Sequence, residues 1–491
     1  MRAQLYALKI VSFFLIGLGA NHVLAEDQTI EEVVVTASFI DESASEIANP
    51  LHIVNGQDIK NGATLSLGAT LEDLLGVSST DFGSAVGQPI IRGMSGNRVK
   101  ILNNGMVVRD VSGLGADHIN DVDMNQVQQV EIVRGPSSLL YSNGIVGGIV
   151  NVVDNTIART DFSDMDLRIG VEGQSVNDGN AYDISFQDNL GGVNVSAAFK
   201  ESNFGNFDIP SGAILHTEEE HDDHDEDHEG DHEEEDLGYL NNSDNESQSG
   251  KFGLSKAGDW GYVGISFGKI ESLYGIPFHG EGHEAHGGHG HDDHDEDEHE
   301  GEEEHEEEHE EGSHSDERIF SSTDSEILNL EGSQILGDGW LKQIDYNFRN
   351  TDYTLTEQHA EEEDTHGDEE EHDDHHSEGP TAFENEAREY GAIFDLSNDS
   401  FSQKFVVNFI EEDLSIIGAE SYMNPSENEE LTLGYYFSKD FEAVHLDFGV
   451  RHDRINRKGS ISVKETHDED HDEDHDEDHD EDHDEDHDED H

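Results

Sequence analysis

The residues of this chain with the clearest chemical potential are histidines placed among carboxylates. The sequence ends on HDEDHDEDHDEDHDEDHDEDHDEDH, with one imidazole every four residues and three carboxylates between neighbouring imidazoles. Four such segments, 216–236, 279–317, 357–378 and 465–491, hold 64 of the 116 acidic residues and 27 of the 32 histidines. Imidazole with carboxylate suits Zn²⁺, Ni²⁺ or Cu²⁺, whereas carboxylate alone suits Ca²⁺ or Mg²⁺. The interleaved histidines therefore predict the capture of a transition metal.

Like charges four residues apart destabilise a helix, so we expect these segments to be unstructured and to offer many weak metal sites. They would raise the local metal concentration and would not form one tight cage. The alternative is a solvated polyanion that binds Ca²⁺ or Mg²⁺ loosely, for which the histidines would be superfluous. The candidate ligands in these segments are His221, His224, His228, His286, His289, His291, His294, His372, His375, His376, His467, His471 and His475.

Composition excludes several classes of function. A formal net charge of −91 argues against a nucleic-acid partner, because phosphate backbones would be repelled. The absence of cysteine excludes disulfides and thiolate metal sites. His305–His309 (HEEEH) resembles the zinc-hydrolase pattern H-E-x-x-H, but its flanks are acidic and offer nothing apolar to anchor a helix. We therefore predict no catalytic residue and no enzyme activity.

The N-terminus has the order of a secretory signal peptide. Arg2 and Lys9 precede an apolar run from Ile10 to Ala20, and a small residue, Ala25, ends the stretch before the first acidic residue. About 11 apolar residues are too few for a membrane span, which needs roughly 20. Export with cleavage after residue 25 is the expectation.

Two different residue patterns follow the predicted signal peptide. Up to about residue 158 the pattern is mixed α/β, with helical spacing of leucines in Thr64–Ser79 and an Asn-Gly turn at Asn104–Gly105. Beyond about residue 166 apolar and polar residues alternate, as in DLRIGVEG and VHLDFGVRH. In VHLDFGVRH the polar face carries His445, a further candidate metal ligand that we expect to point inward.

Connection lengths favour an outer-membrane barrel over a soluble β-sandwich. Short turns, such as DNLGG and AGDWG, alternate with connections of many residues. Outer-membrane barrels have short turns on the periplasmic side and long loops outside. Every histidine-rich segment falls in the long set or, for 465–491, where the next long loop would begin. We count about eleven strands.

Three stretches resemble the TonB-dependent receptors. EEVVVTAS (Glu31–Ser38) is similar to their TonB box, an extended segment that a partner can capture by strand addition. PIIRGMSGNRVKILNNGMVVRD (Pro89–Asp110) and QVEIVRGPSSLLYSNGIVGGIVNVV (Gln129–Val153) match the central and final motifs of the family's plug domain. The TonB-box residues would be Glu32, Val33, Val34, Val35, Thr36 and Ala37. The plug-motif residues would be Arg92, Gly93, Glu131, Arg134, Gly135, Pro136, Gly147 and Gly148.

The resemblance implies a 22-stranded antiparallel barrel with an N-terminal mixed α/β plug, of which about the first half of the barrel is present. The expected division is a signal peptide at 1–25, a TonB-box segment and linker at 26–45, a plug at 46–160 and barrel strands at 161–491. Arg92, Glu131 and Arg134 would face the barrel wall, and the paired glycines Gly147 and Gly148 would allow close backbone approach. Eleven strands do not close such a barrel, so we expect the sequence to be part of a longer protein.

The resemblance also implies a place and partners: the outer membrane with its lipid and lipopolysaccharide, and the TonB–ExbB–ExbD complex of the inner membrane. The histidine-rich loops resemble the zinc-receptor branch, in which an Asp-His pair of the plug contributes to the metal site. Asp117 and His118 would be that pair, joined by ligands from the barrel wall. The expected function is uptake of a divalent metal, with zinc preferred. Nickel, copper, haem or a chelated metal, and a surface metal buffer or adhesin without transport, stay open as alternatives.

Overall fold

The computed structural model describes residues 52–62, 66–83, 85–210, 213, 238–277, 318–360, 379–398, 400–418, 421, 423–442 and 444–460. The predicted signal peptide and TonB box lie outside the described residues. So do all four histidine-rich segments, apart from residues 357–360 of the third. In the part of the chain that is described, no helix is both long enough and apolar enough to span a membrane.

The N-terminal unit, which we call the plug, is built on a five-stranded sheet in the order β1-β6-β7-β4-β5. Only β4 and β7 pair in parallel, and the other neighbours are antiparallel. Its strands are β1 (His52–Asn55), β2 (Val77–Ser79), β3 (Pro89–Ile91), β4 (Val99–Asn103), β5 (Met106–Val107), β6 (Val127–Val133) and β7 (Gly148–Asp154), with β2 and β3 forming a separate pair. Its helices are α1 (Gly56–Gly62) and α2 (Leu67–Leu71), with 3₁₀ turns at Gly96–Arg98 and Pro136–Leu140.

The predicted helix over Thr64–Ser79 is shorter in the structure than the leucine spacing indicates. Ser66 caps α2 by accepting a hydrogen bond from the amide of Ala69 at 3.2 Å, and the helix ends at Leu71. The chain then turns and enters β2, so that Leu75 is 86% exposed instead of joining the core. Pairing of β2 with β3 competes successfully with continuation of the helix, because it gives the backbone groups of Val77–Ser79 partners in a strand.

The predicted Asn-Gly turn is confirmed. Asn104 and Gly105 have φ angles of 50° and 83° and join β4 to β5. Two successive left-handed residues form the turn that matches the twist of a two-residue hairpin, and Asn-Gly is the preferred pair there. This hairpin leads directly into the loop that carries Asp117 and His118.

The second unit is an antiparallel sheet of eleven strands, in agreement with the predicted number, in which each strand pairs with its sequence neighbour. Its strands are β8 (Asp166–Gln174), β9 (Gly179–Asn189), β10 (Asn194–Phe204), β13 (Asn245–Gly258), β14 (Gly261–Gly275), β15 (Arg318–Ile335), β16 (Gln343–Ala360), β17 (Thr381–Asp395), β18 (Ser402–Ile417), β19 (Ser426–Phe441) and β20 (Val444–Lys458). A pair of two-residue strands, β11 (Phe207–Asp208) and β12 (Tyr239–Leu240), lies between β10 and β13. We call this sheet the wall.

The wall has two rims and two faces. At one rim, the short-turn rim, every connection has two to seven residues. All the long connections leave the other, the long-connection rim, together with the four-residue turn between β8 and β9. Side chains alternate as predicted: Ile169 and Val444 on the outer face are 72% and 61% exposed. The inner face packs on the plug, where a Cβ at Gly449 would lie 2.7 Å from the carbonyl oxygen of Pro136.

Buried charges hold the plug against the wall. Lys251 on β13 places its Nζ 3.2 Å from Asp123 and 3.5 Å from Asp154, and all three side chains are at most 14% exposed. Arg349 on β16 donates to the carbonyl oxygens of Asn103 and Met106 at 3.1 and 3.3 Å. Such pairs join two surfaces only when both partners stay, because removal of one leaves the other buried and uncompensated.

Glu131 has hydrogen-bond partners within the plug, and the expectation that it faces the wall stays a prediction. Glu131 is fully buried in the plug's own sheet, where its carboxylate accepts hydrogen bonds from the side-chain amides of Gln129 and Asn151 at 2.5 and 3.1 Å. Arg92 is exposed and Arg134 half-buried, and within the described ranges no salt bridge joins either one to the wall.

The predicted close approach at the paired glycines is present. A Cβ at Gly147 would lie 2.9 Å from the side chain of Val99 and 3.0 Å from the carbonyl oxygen of Ile91. Gly148 has a φ of 149°, a conformation that residues with a side chain rarely adopt. Both positions thus require glycine to let β7 start against β4.

Candidate metal site

Three side chains from two units of the molecule meet near the long-connection rim. Asp117 and His118 lie in the loop between β5 and β6 of the plug, and Glu357 lies on β16 of the wall. One ligand atom from each residue can be chosen so that all three atoms lie within 4.8 Å of one another. Among the residues that the structure describes, this is the only such group of three or more histidine and acidic side chains.

A glutamine of the plug preforms the loop that presents Asp117 and His118. The side-chain amide of Gln88, itself buried, donates to the carbonyl oxygens of Ser112, Gly115 and His118 at 2.9, 2.8 and 2.9 Å. One planar amide thereby gathers three points of the loop between β5 and β6. This arrangement fixes the backbone of the loop before any ligand arrives, which is what a selective site requires.

Hydrogen bonds determine how the His118 ring is turned. Its Nδ1 lies 3.0 Å from the carbonyl oxygen of Val111, and its Nε2 lies 2.9 Å from Oε1 of Glu357. A carbonyl oxygen can only accept, so Nδ1 carries the proton and Nε2 is the nitrogen that changes partners. The ring is 4% exposed and meets Phe383 edge-on, with 5.0 Å between ring centroids. A backbone carbonyl behind the ring is the usual support of a metal-binding histidine.

A positive charge between Nε2 of His118 and the carboxylate of Glu357 would be stabilised by both groups. With Nδ1 protonated, a neutral ring would direct its Nε2 lone pair at a carboxylate oxygen. Burial opposes charging of the ring, but hydrogen bonds to Glu357 and Val111 and the charges of Glu357 and Asp117 outweigh burial and raise the pKa of His118. In the absence of metal a proton meets this demand, and a divalent cation that displaces the proton meets it as well.

The donor set is suited to a borderline transition metal. One imidazole nitrogen and two carboxylates are three ligands of the kind that zinc takes in open sites, where a fourth position is left for water or another ligand. Ca²⁺ and Mg²⁺ prefer sets made of oxygen alone. The third ligand comes from the opposite surface of the plug–wall seam, so the site exists only while the plug is seated.

The site lies at strand ends from which two histidine-rich segments leave. Glu357 is near the end of β16, next to residues 361–378. On the neighbouring side, the hydroxyl of Tyr274, near the end of β14, accepts a hydrogen bond from the amide of Ile119 at 3.3 Å. Residues 278–317 follow that strand.

His445 is not part of this group. It is the second residue of β20, at the short-turn rim, and its inward-facing ring contacts Asp440 through Nδ1 at 2.5 Å and Asp447 through Nε2 at 3.0 Å. The two carboxylates thus occupy opposite edges of the ring. The other thirteen histidines named as loop ligands, and the TonB-box residues Glu32–Ala37, lie outside the described residues.

Glu357 is the candidate ligand that sequence reasoning misses. It is the first residue of the third histidine-rich segment, where it is one acidic residue among many. The alternation of side chains along β16 could have identified Glu357. Tyr353 and Leu355 are fully buried, and Glu357 continues the same inward face. An acidic residue in phase with buried neighbours at a strand end is a candidate for the barrel interior.

Comparison with known proteins supports the same architecture. The family described as TonB-dependent Receptor Plug Domain matches residues 43–149. The structure is similar to the copper transporter OprC, with 12% identity and a TM-score of 0.55 over 85% of this chain and 58% of that chain. It is also similar to the FrpB iron transporter from Neisseria meningitidis (F3-3 variant), with 11% identity and a TM-score of 0.58 over 84% of this chain and 61% of the other.

A third similar structure is a double mutant of the Serratia marcescens hemophore receptor HasR in complex with its hemophore HasA and heme. There the identity is 11% and the TM-score 0.56, over 82% of this chain and 52% of that chain. The chain thus spans less than two thirds of the length of each of these proteins, and at such identities the similarity concerns the fold. Together with the plug-domain match, it assigns this chain the fold of the TonB-dependent outer-membrane receptors: an N-terminal plug domain seated on an antiparallel barrel sheet.

Proposed function

We propose that this chain acts in a TonB-dependent outer-membrane transporter that takes up a divalent transition metal, with zinc as the preferred cargo. The observation that carries the proposal is the meeting of Asp117, His118 and Glu357 in a preformed loop across the plug–wall seam. No bond of a substrate is made or broken at such a site, so the proposal assigns no enzyme activity.

The chemistry of the donors selects the class of cargo. An imidazole nitrogen among carboxylates favours Zn²⁺, Ni²⁺ or Cu²⁺ over Ca²⁺ or Mg²⁺. The histidine-rich segments 216–236, 279–317, 357–378 and 465–491 would collect the same ions in the medium and raise their concentration near the long-connection rim. Zinc is preferred because it accepts a tetrahedral set with one open position without demanding a particular geometry.

Release of the metal is explained by the origin of its ligands in two different units. Asp117 and His118 belong to the plug and Glu357 to the wall, so displacement of the plug separates the ligands and weakens the site. In this proposal the TonB–ExbB–ExbD complex captures Glu32–Ala37 by strand addition and supplies the displacement. Binding is then tight with the plug seated and weak with the plug moved, which is the difference that an energised transporter needs.

The test is uptake of radioactive zinc by cells that carry the receptor in the outer membrane. The assay is run with and without a proton gradient, and with unlabelled zinc, nickel or copper as competitor. We expect accumulation that depends on the gradient and is reduced most by unlabelled zinc. Pro substitution at Val34, which would prevent strand addition at the TonB box, should reduce accumulation to the level seen without the gradient. Zinc held equally well without energy would identify a surface metal buffer and would refute transport.

A further inference from the structure

A second group of polar side chains lies in the plug–wall seam next to the candidate metal site. Asp121, three residues after His118, is buried, and its Oδ2 accepts a hydrogen bond of 2.6 Å from the hydroxyl of Ser325 on β15. The amide of Asp121 donates in turn to Oδ2 of Asp110 at 3.0 Å. The carboxylate of Asp110 therefore contacts the backbone of Asp121, and the charges of the two acids interact, further from the long-connection rim than Glu357.

Two buried oxygen atoms beside these acids have no hydrogen-bond partner among the described residues. Tyr353 is the cross-strand partner of Ser325, and its hydroxyl is buried and unpaired. Asn385 uses its amide nitrogen on the carbonyl oxygen of Asp110 and on Glu412, both at 3.3 Å, and its Oδ1 is unpaired. Both partners of the amide nitrogen are acceptors, so the orientation of Asn385 is settled. The two side chains are 0% and 3% exposed.

Unpaired buried oxygens are costly, at about 1–3 kcal/mol each, and usually have a reason. Here they adjoin two buried carboxylates that accept hydrogen bonds from Ser112 and Ser325 but form no salt bridge with any described residue. Burial and the neighbouring charges of Asp110 and Asp123 raise the pKa of Asp121 to about 7, against the hydrogen bond from Ser325 and the charge of Arg349. The guanidinium of Arg349 is already engaged by Asn103, Met106 and Asn329. A group of this composition is suited to bind a cation.

Cavities reach this group from two sides. A cavity of about 890 Å³ between plug and wall is lined by Asp110 and Asn385, among others. A smaller one of about 70 Å³ is lined by Asp121, Asp123 and Lys251. The two acids therefore stand between a space large enough for hydrated ions and a pocket with room for only a few water molecules.

We propose that Asp110 and Asp121, with the hydroxyl of Tyr353 and the amide oxygen of Asn385, form a second cation station that receives the divalent metal from Asp117, His118 and Glu357. The inference rests on the proposed function and adds a site to it. Its ligands are oxygen atoms only, so it binds a borderline metal less tightly than the first site and accepts harder cations such as Mn²⁺. Transfer between sites requires each to be weak enough to release the ion, as in other ion pathways.

Three variants separate a cation station from a purely structural role. Asp121→Asn keeps the shape and the acceptor for Ser325 but removes the charge. Tyr353→Phe removes only an unpaired hydroxyl, so the metal-free protein should be as stable as before or more so. Ser325→Ala is the matched control, because it deletes the hydrogen bond to Asp121 and leaves every proposed ligand in place.

The test is anomalous X-ray diffraction from crystals of the intact receptor grown with Zn²⁺ or with Mn²⁺. In the wild type we expect zinc at Asp117, His118 and Glu357, and a second peak about 2.2 Å from a carboxylate oxygen of Asp121 that is strongest with Mn²⁺. Asp121→Asn should abolish the second peak and Tyr353→Phe should weaken it, whereas Ser325→Ala should retain it. Cells with Asp121→Asn should also accumulate zinc about 10-fold more slowly at saturation, with unchanged half-saturation.

The outcomes distinguish the station from the proposed function. A peak at the first site alone in the wild type would overturn the second station and leave the transport proposal standing. Retention of the second peak in Asp121→Asn would show that the charge of Asp121 does not hold the cation, and this too would overturn the station. Absence of both peaks would refute the first site together with the second.

Discussion

His118 and His445 both contact oxygen atoms through both ring nitrogens, yet their surroundings differ in the feature that decides metal binding. His118 has a backbone carbonyl at Nδ1 and a carboxylate at Nε2, with a second carboxylate near the same edge. His445 has a carboxylate at each nitrogen, on opposite edges of the ring. In the first arrangement a metal can take the place of one proton and gather three ligands. The second arrangement is that of an imidazolium held in an ion pair.

The difference shows that a histidine among acids is not by itself a metal site. What matters is whether a neutral acceptor holds one nitrogen while charged ligands converge on the other. It also matters that the ligands come from two bodies, since only then can motion of one body open the site. His445, Asp440 and Asp447 all lie on β19 and β20 and would move together.

The largest expected effect is that of replacing the histidine of the first site. His118→Ala should raise the zinc concentration for half-saturation of uptake at least ~100-fold, more than the ~10–100-fold that loss of a supporting residue costs. The measurement is zinc uptake against concentration in energised cells. Gln88→Ala is a useful comparison, because it loosens the loop without removing a ligand. It should raise the half-saturating zinc concentration by only ~10–100-fold. A wild-type curve for His118→Ala would remove His118 from the site.

Removing the wall's contribution should have the next largest effect. Glu357→Gln keeps the size of the side chain but loses the negative charge, so zinc affinity should fall ~10–100-fold. Glu384→Gln is a matched control at the same rim, because Glu384 is exposed and hydrogen-bonded to Ser415 at 3.0 Å. The zinc affinities of both variants would be compared by measuring zinc binding at a low free zinc concentration. Equal behaviour of the two would mean that Glu357 acts only through general negative charge.

Acidification should weaken the first site by competition between proton and metal. The pKa of His118 is raised, so as pH falls its Nε2 is protonated earlier than in an ordinary histidine, and a protonated nitrogen cannot bind metal. Zinc affinity should therefore decline from above the ordinary histidine pKa of ~6.5 downward, by about tenfold per pH unit once the ring is mostly protonated. Titrations of zinc binding at several pH values give the slope. A flat profile down to pH 5.5 would contradict the competition.

The smallest effect should come from the second histidine. His445→Ala should leave the half-saturating zinc concentration within ~2-fold of wild type, because the residue is far from the first site and shares no partner with it. The same uptake assay measures it. A loss of affinity comparable to that of His118→Ala would contradict the proposed difference between the two histidines.

The sequence predicted the features that depend on local pattern. Alternation of side chains predicted the eleven wall strands, and Asn104–Gly105 predicted the hairpin before the loop that carries Asp117 and His118. Both features depend on residues that are neighbours in sequence. Asp117 and His118 were found by resemblance. Their partner was missed because Glu357 is 239 residues away from His118, and strand register across the seam is not readable from one sequence.

One error has a clear physical origin. The leucines after Leu71 read as a helix, but the pairing of β2 with β3 ends it. A partner strand further along the chain overrides the local preference, and a local pattern cannot reveal such a partner.

The central claim is that His118, and not His445, holds the metal in a site shared by plug and wall. The most direct measurement is equilibrium zinc binding to the intact receptor in outer-membrane vesicles, at a free zinc concentration buffered low enough to leave weak loop sites empty. The account predicts one bound zinc in the wild type and in His445→Ala, and none in His118→Ala. Full binding in His118→Ala, or its loss in His445→Ala, would contradict the account.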